Sequence, residues 1–117
     1  MGTGGRAGAA RPEDLGRLFL ERANDGDLDG LVELYEPGAV LAFPPGEVIA
    51  GHDAIRDAYA ALLANRPAFT GEPRPALSNG DWALTSTGLP DGGATAEVAH
   101  RQPDGTWRWV IDQPRIR

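Results

Sequence analysis

Proton transfer at a single point requires acids, bases or hydroxyls that one fold presents to one cavity, so spacing decides which side chains of this chain matter. In the C-terminal run Trp107 to Asp112, strand alternation puts Arg108, Val110 and Asp112 on one face and Trp107, Trp109 and Ile111 on the other. Glu97 and Arg101 share a parity on the strand before it and could face one cavity together, or form a solvated edge pair. Tyr59 falls on a helical apolar face with Ile55, Ala58, Leu62 and Leu63; its ring packs there, and its hydroxyl needs a partner that a ligand could supply. The three tryptophans, Trp82, Trp107 and Trp109, cluster in the extended C-terminal half, which suits an aromatic-lined cavity as well as a core or an interface. Asp112 has plainer uses too: an ion pair with an arginine, or a cap on the Gln113-Pro114 turn.

Composition removes much other chemistry. There is no cysteine, so thiolate catalysis, disulfides and cysteine-ligated metals are excluded. All 11 basic residues are arginine, which removes Schiff-base lysines and the phosphate-loop lysine. Two histidines, His52 at a helix start and His100 on the opposite parity to Glu97, lack a third at ligand spacing, so no metal and no cofactor is expected. Ser78 and Ser86, the only serines, have no nucleophile-elbow context. A net charge of -6 without a basic cluster argues against nucleic acid and anionic membrane as partners. No apolar run approaches the roughly 20 residues of a membrane helix, and a cytoplasmic location is expected.

With 117 residues and 41% hydrophobic content the chain reads as one domain with a single core. Residues 1–10, rich in Gly and Ala, read as a flexible leader, and 11–117 as the domain. A first helix starts near Pro12, carries Leu15, Leu18, Phe19 and Ala23 on one face and stops at Gly26. Asp27 caps a second, short helix through Leu28, Leu31, Leu34 and Tyr35, ended by Pro37-Gly38. Strands Ala39–Phe43 and Val48-Ile49 form a hairpin through Pro44-Pro45-Gly46, and a third helix runs from about His52 to Asn65. Beyond Pro67, breakers separate strands near 68–78, 81–88, 94–102 and 106–112, with Asn79-Gly80 and Asp104-Gly105 as tight turns. Helices followed by an antiparallel meander make an α+β fold.

Three segments carry a resemblance to a known family. N-D-G-D-L-D-G-L after the first helix, G-H-D-A-I-R opening the third, and the closing D-G-T-W-R-W-V-I-D-Q-P are together similar to the nuclear transport factor 2-like superfamily, and within it to SnoaL-like and ketosteroid-isomerase-like proteins. The resemblance covers roughly residues 13 to 114. It implies a cone-like, cystatin-like fold, three N-terminal helices packed on a strongly curved antiparallel sheet around one small-molecule pocket.

What it implies about chemistry is mixed, because such a fold hosts many activities. In the ketosteroid-isomerase register the tyrosine position falls on Phe19, the base position on Phe43, and the oxyanion acid near Val98 or Ala99, so that mechanism lacks its polar groups. In the register of SnoaL-type cyclases, Asp112 matches an aspartate that acts as acid or base at the end of the last strand. Together with the residue reading above, the resemblance gives a catalytic set: Asp112, carried over from the family register, as proton shuttle, with Tyr59 and Arg101, read from helix face and strand parity, polarising an oxygen. Phe19, Tyr35, Phe43, Trp82, Glu97 and Val110 are the expected ligand-binding residues. Two functions are compatible with this: a cofactor-independent acid–base enzyme such as a cyclase, dehydratase or isomerase on a polyketide-like or apolar metabolite, or a non-catalytic hydrophobic-ligand-binding or dimerisation module. By the same register the Asp112 face lines the pocket and the tryptophan face helps cover the sheet in a homodimer, unless a one-residue bulge reverses the two. The outer face covered in the homodimer thus bears Trp107 and Trp109, or Val98 and His100.

Overall fold

The computed structural model describes residues 7–116. Helix α1 (Asp14–Asn24) buries Leu15, Leu18 and Ala23, and carries Asp14 in its first turn and Arg22 in its last, each favourable to the helix dipole. Gly26, at φ +70°, reverses the chain in a conformation that favours glycine. Asp27 then caps α2 (Leu28–Val32) by accepting the Gly30 N–H at 3.0 Å.

Strand β1 (Tyr35–Leu41) begins four residues before the expected Ala39, and Tyr35 belongs to it rather than to the second helix. It runs parallel to β8 (Trp107–Ile116), with Tyr35 opposite Trp109 and Val40 opposite Ile111. The register shifts between those pairs, so Pro37 and Gly38 occupy an irregular, exposed section where proline's missing donor costs no regular ladder bond. β2 (Ile49–Ala50) returns antiparallel to β1 and leads into α3 (His52–Leu63), which buries Ile55 and Tyr59.

The expected strand 68–78 survives only as β3 (Glu72–Pro73) and β4 (Leu77–Asn79), because Pro73 and Pro75 cannot donate to a continuous ladder. β5 (Trp82–Thr85), β6 (Thr87–Gly88), β7 (Ala94–Arg101) and β8 follow, and the sheet orders as β2-β1-β8-β7-β5-β4, with β6 joining β7 and β3 pairing β6. The result is the expected α+β cone. Helices and inner sheet face enclose a core that includes Leu15, Leu31, Leu34, Tyr35, Leu41, Ile55, Ala99 and Trp109.

One irregularity corrects the sequence reading. Val98 pairs with Ile111 but the next residue, Ala99, pairs with Trp109, so Val110 is the extra residue of a β-bulge. The bulge reverses parity within β8: Trp107, Trp109 and Asp112 all point inward and are buried, while Ile111 points outward. The tryptophans therefore do not cover the outer sheet face. That face instead carries a row formed by Leu77, Leu84, Val98, Ile111 and Val40, each opposite the next across five strands.

Residues 7–10 are docked rather than loose. Ala9 is buried and its carbonyl accepts the Trp107 N–H at 2.9 Å, while buried Arg22 donates to the carbonyls of Ala7 and Gly30, both at 2.6 Å. Residues 1–6 of the expected leader lie outside the described residues. No helix among the described residues is long and apolar enough to cross a membrane.

Candidate functional site

A cavity of about 210 Å³ opens between the helices and the inner sheet face. α1 contributes Phe19 and Leu20 to its wall, α3 Tyr59 and Leu62, and the chain after β1 Phe43; the sheet adds Thr87, Thr95, Glu97, Trp109 and Asp112. Phe69 closes one side from the loop after α3. That loop is fixed by Asn24, whose side chain donates to the Phe69 carbonyl at 2.9 Å and accepts the Phe69 N–H at 2.7 Å. Phe43 stacks on Tyr59 with ring centroids 6.1 Å apart, and Phe19 meets Tyr59, Phe69 and Trp109 at 5.8 to 6.0 Å. Such tilted and offset contacts hold rings in place beyond their burial alone.

The polar groups of this cavity gather at one corner. Glu97 and Asp112 are cross-strand partners on β7 and β8, both buried and both facing inward. The Tyr35 hydroxyl donates to Asp112 Oδ2 at 2.5 Å. Its proton being committed there, the Tyr59 hydroxyl donates to Tyr35 across 2.9 Å, and the order Tyr59, Tyr35, Asp112 follows. On the other carboxyl, Trp109 Nε1 donates to Thr85 Oγ1 at 3.0 Å and Thr85 Oγ1 donates to Glu97 Oε1 at 2.7 Å. Asp112 Oδ1 is buried without a partner among the described residues.

Burial raises the pKa of Asp112 to about 7, the nearby Glu97 carboxylate adds to the rise, and the Tyr35 hydrogen bond opposes it. Burial likewise raises Glu97, against the hydrogen bonds from Thr95 and Thr85. Tyr35 and Tyr59 are pushed well above the ordinary phenol range, first by burial and then by the charge on Asp112. Two like-charged groups in an apolar corner resist carrying charge together, so a proton is held in the corner at pH values where exposed carboxyls have lost theirs. No arginine or histidine lines the cavity among the described residues, nor does any group of three or more His, Cys, Asp or Glu stand ready for a metal ion.

The structure brings together Asp112, Tyr59, Phe19, Phe43 and Glu97 on the cavity wall, with Tyr35 directly behind Asp112. It keeps three expected site residues away. Arg101 has inward parity but stands at the end of β7, beyond the cover of the helices, and pairs with Asp81 in solvent. Trp82 is half exposed on the outer face, stacked on His100 with centroids 4.2 Å apart. Val110 is displaced by the bulge that it forms. Trp109, Thr85 and Phe69 are the functional candidates that sequence reasoning missed. Strict alternation puts Trp109 on the wrong face, Thr85 is silent without its partners, and Phe69 sits in an irregular loop. His52 has a structural use, its Nε2 donating to the Tyr35 carbonyl at 2.7 Å.

This architecture recurs in solved structures. A variant of Rv3472, a protein of unknown function from Mycobacterium tuberculosis, superposes with a TM-score of 0.70 at 22% identity, covering 90% of this chain and 74% of that one. A protein provisionally assigned as a dehydratase of the nuclear transport factor 2-like family, from Streptomyces avermitilis, gives 0.68 at 20% identity over 84% and 88%. A provisionally assigned calcium/calmodulin-dependent protein kinase type II association domain from Thiobacillus denitrificans gives 0.77 at 14% identity over 96% and 100%. At such identities the likeness shows the fold alone. No curated protein matches the sequence. The family model for the SnoaL-like domain matches residues 17–117, nearly the whole chain, and with the cone and its aromatic pocket it establishes that the protein belongs to the SnoaL-like domain family.

Proposed function

We propose that this protein is a cofactor-independent acid–base enzyme of the cyclase, dehydratase or isomerase kind, acting on an apolar, polyketide-like metabolite. The observation that carries this reading is Asp112, which lines the cavity: one carboxyl oxygen is fixed by Tyr35, and the other is buried and unpaired among the described residues. A protonated Oδ1 gives its proton to a substrate oxygen, and the resulting carboxylate takes a proton back from the product-forming intermediate, so the group returns to its starting state. Tyr59 and Tyr35 fix the orientation of Asp112, and Glu97, held by Thr85, keeps the corner's proton affinity high. Phe19, Phe43, Phe69 and Trp109 hold the carbon skeleton. Arg101, paired outside with Asp81, has no part.

The test is a paired titration of wild type and Asp112→Asn, following turnover, or ligand affinity against pH. The amide keeps the acceptor for Tyr35 and removes only the titrating proton. Loss of turnover, or of the pH dependence of binding, in a variant with unchanged circular dichroism supports the assignment. Superimposable curves would sink it and favour the binding-module reading, to which the otherwise apolar wall also points. We further propose that two copies associate through the outer row of Leu77, Leu84, Val98, Ile111 and Val40, the architecture being shared with a domain named for association.

A further inference from the structure

Resting on the acid–base reading of the same cavity, we propose that its ligand is a neutral molecule about the size of one substituted ring, with an oxygen at one end, and that fused tetracyclic skeletons fit it poorly. Size is the first reason. An apolar cavity of about 150 Å³ holds one benzene. The 210 Å³ here therefore accommodates a ring and a few substituent atoms. A four-ring skeleton has roughly three times the carbon framework of benzene, so it must either displace packed aromatics, which is costly, or leave most of its rings outside the mouth, where they gain little burial. The wall is stiff where it would have to yield: Phe69 is held from its backbone by both ends of the Asn24 amide, and Phe19 sits between Tyr59, Phe69 and Trp109.

Charge is the second reason. Glu97 and Asp112 stand on the wall with no lining cation among the described residues, so a carboxylate, phosphate or sulfate would meet repulsion without a partner. An ammonium is drawn to carboxylates, but the corner retains a proton at about pH 6, and against one unpaired carboxyl oxygen two of the three ammonium donors would stay unsatisfied in an apolar space. A single hydroxyl or carbonyl oxygen matches that one position. The polar groups lie at one end of an otherwise apolar space, which also sets the ligand's orientation: oxygen toward Asp112, ring between Phe19, Phe43 and Phe69.

The experiment is calorimetric titration at pH 6 with 4-methylphenol, 2-naphthol, the tetracyclic phenol equilenin, benzoate and benzylamine, repeated with Phe69→Ala. Wild type is expected to bind 4-methylphenol saturably and equilenin roughly 100-fold more weakly, with benzoate and benzylamine both weaker than the phenol. Phe69→Ala, which leaves the Asn24 bonds to the backbone intact, should shift preference toward 2-naphthol by roughly ten-fold. Equilenin binding as tightly as 4-methylphenol, or benzylamine binding more tightly, would overturn the size or the charge part while leaving Asp112's role standing. Should no probe bind at all, the pocket reading falls with it. If Phe69→Ala does not fold, the wild-type order alone decides.

Discussion

At the scale of residues, the corner built by Asp112, Glu97, Tyr35 and Thr85 has a consequence for stability. Asp112's pKa is raised from 3.8 to about 7, so through that interval the folded state holds a proton that the unfolded chain has released. Stability contributed by the protonated form is therefore complete below about pH 4 and is lost as pH rises toward 7, the reverse of a salt-bridged aspartate. Asp112→Asn abolishes this dependence. Thermal unfolding should show the variant more stable than wild type at pH 8, by at most on the order of 4 kcal/mol, with the difference vanishing near pH 4. Parallel profiles at both pH values would mean that Asp112 ionises freely. Asp112 itself was legible in the sequence through the closing W-V-I-D-Q-P segment, as were Phe19, Phe43 and Tyr59. Arg101 was misplaced because parity says which way a side chain leaves a strand but not whether anything covers that end of it.

At the scale of elements, the cavity depends on how closely α1 lies on the short β3 and β6 strands. A Cβ at Gly16 would sit 2.9 Å from Thr87 Oγ1 and 3.2 Å from Pro73 Cβ. Gly16→Ala gains helix propensity of up to about 1 kcal/mol yet must push α1 away from Thr87 and Pro73, at a cost of roughly 1–3 kcal/mol. A lower melting temperature and altered 4-methylphenol affinity are expected together; an unchanged or higher melting temperature would mean that the helix has room. Helices and their stops were readable because Gly26, Asp27 and Pro67 punctuate a clear period. The bulge at Val110 was not, since nothing in Trp107 to Asp112 distinguishes six regular residues from five and an extra one. That single residue decides whether the tryptophans line the core or the outside. The same kind of local irregularity let β1 start at Tyr35 despite Pro37-Gly38.

At the scale of the whole molecule, burial of Trp107 and Trp109 removes one of the two expected apolar dimer faces and leaves the other, which carries Val98 and His100. Leu77, Leu84 and Ile111 are 74%, 51% and 50% exposed in one cross-strand row, a larger apolar display than isolated surface residues make. A second copy of the same row is a suitable cover, because a two-fold axis brings identical patches together. Sedimentation equilibrium should give twice 12.4 kDa for wild type and a single chain for Ile111→Arg with unchanged circular dichroism. A wild-type monomer at micromolar concentration would contradict this. The α+β class and the cone were legible from three short segments because they are properties of the whole chain. The pairing of strands, which selects the face that is buried, is not a property of any one segment.

Catalysis at this corner requires Asp112 to be a pocket acid that titrates near neutrality, and the direct measurement is a pH titration of carbon-labelled aspartate carboxyls by nuclear magnetic resonance, assigned with Asp112→Asn. One aspartate signal is predicted to titrate near pH 7 and to be missing from the variant. If instead every aspartate carboxyl titrates in the ordinary range near pH 4, Asp112 is an ordinary exposed acid and the catalytic corner does not exist.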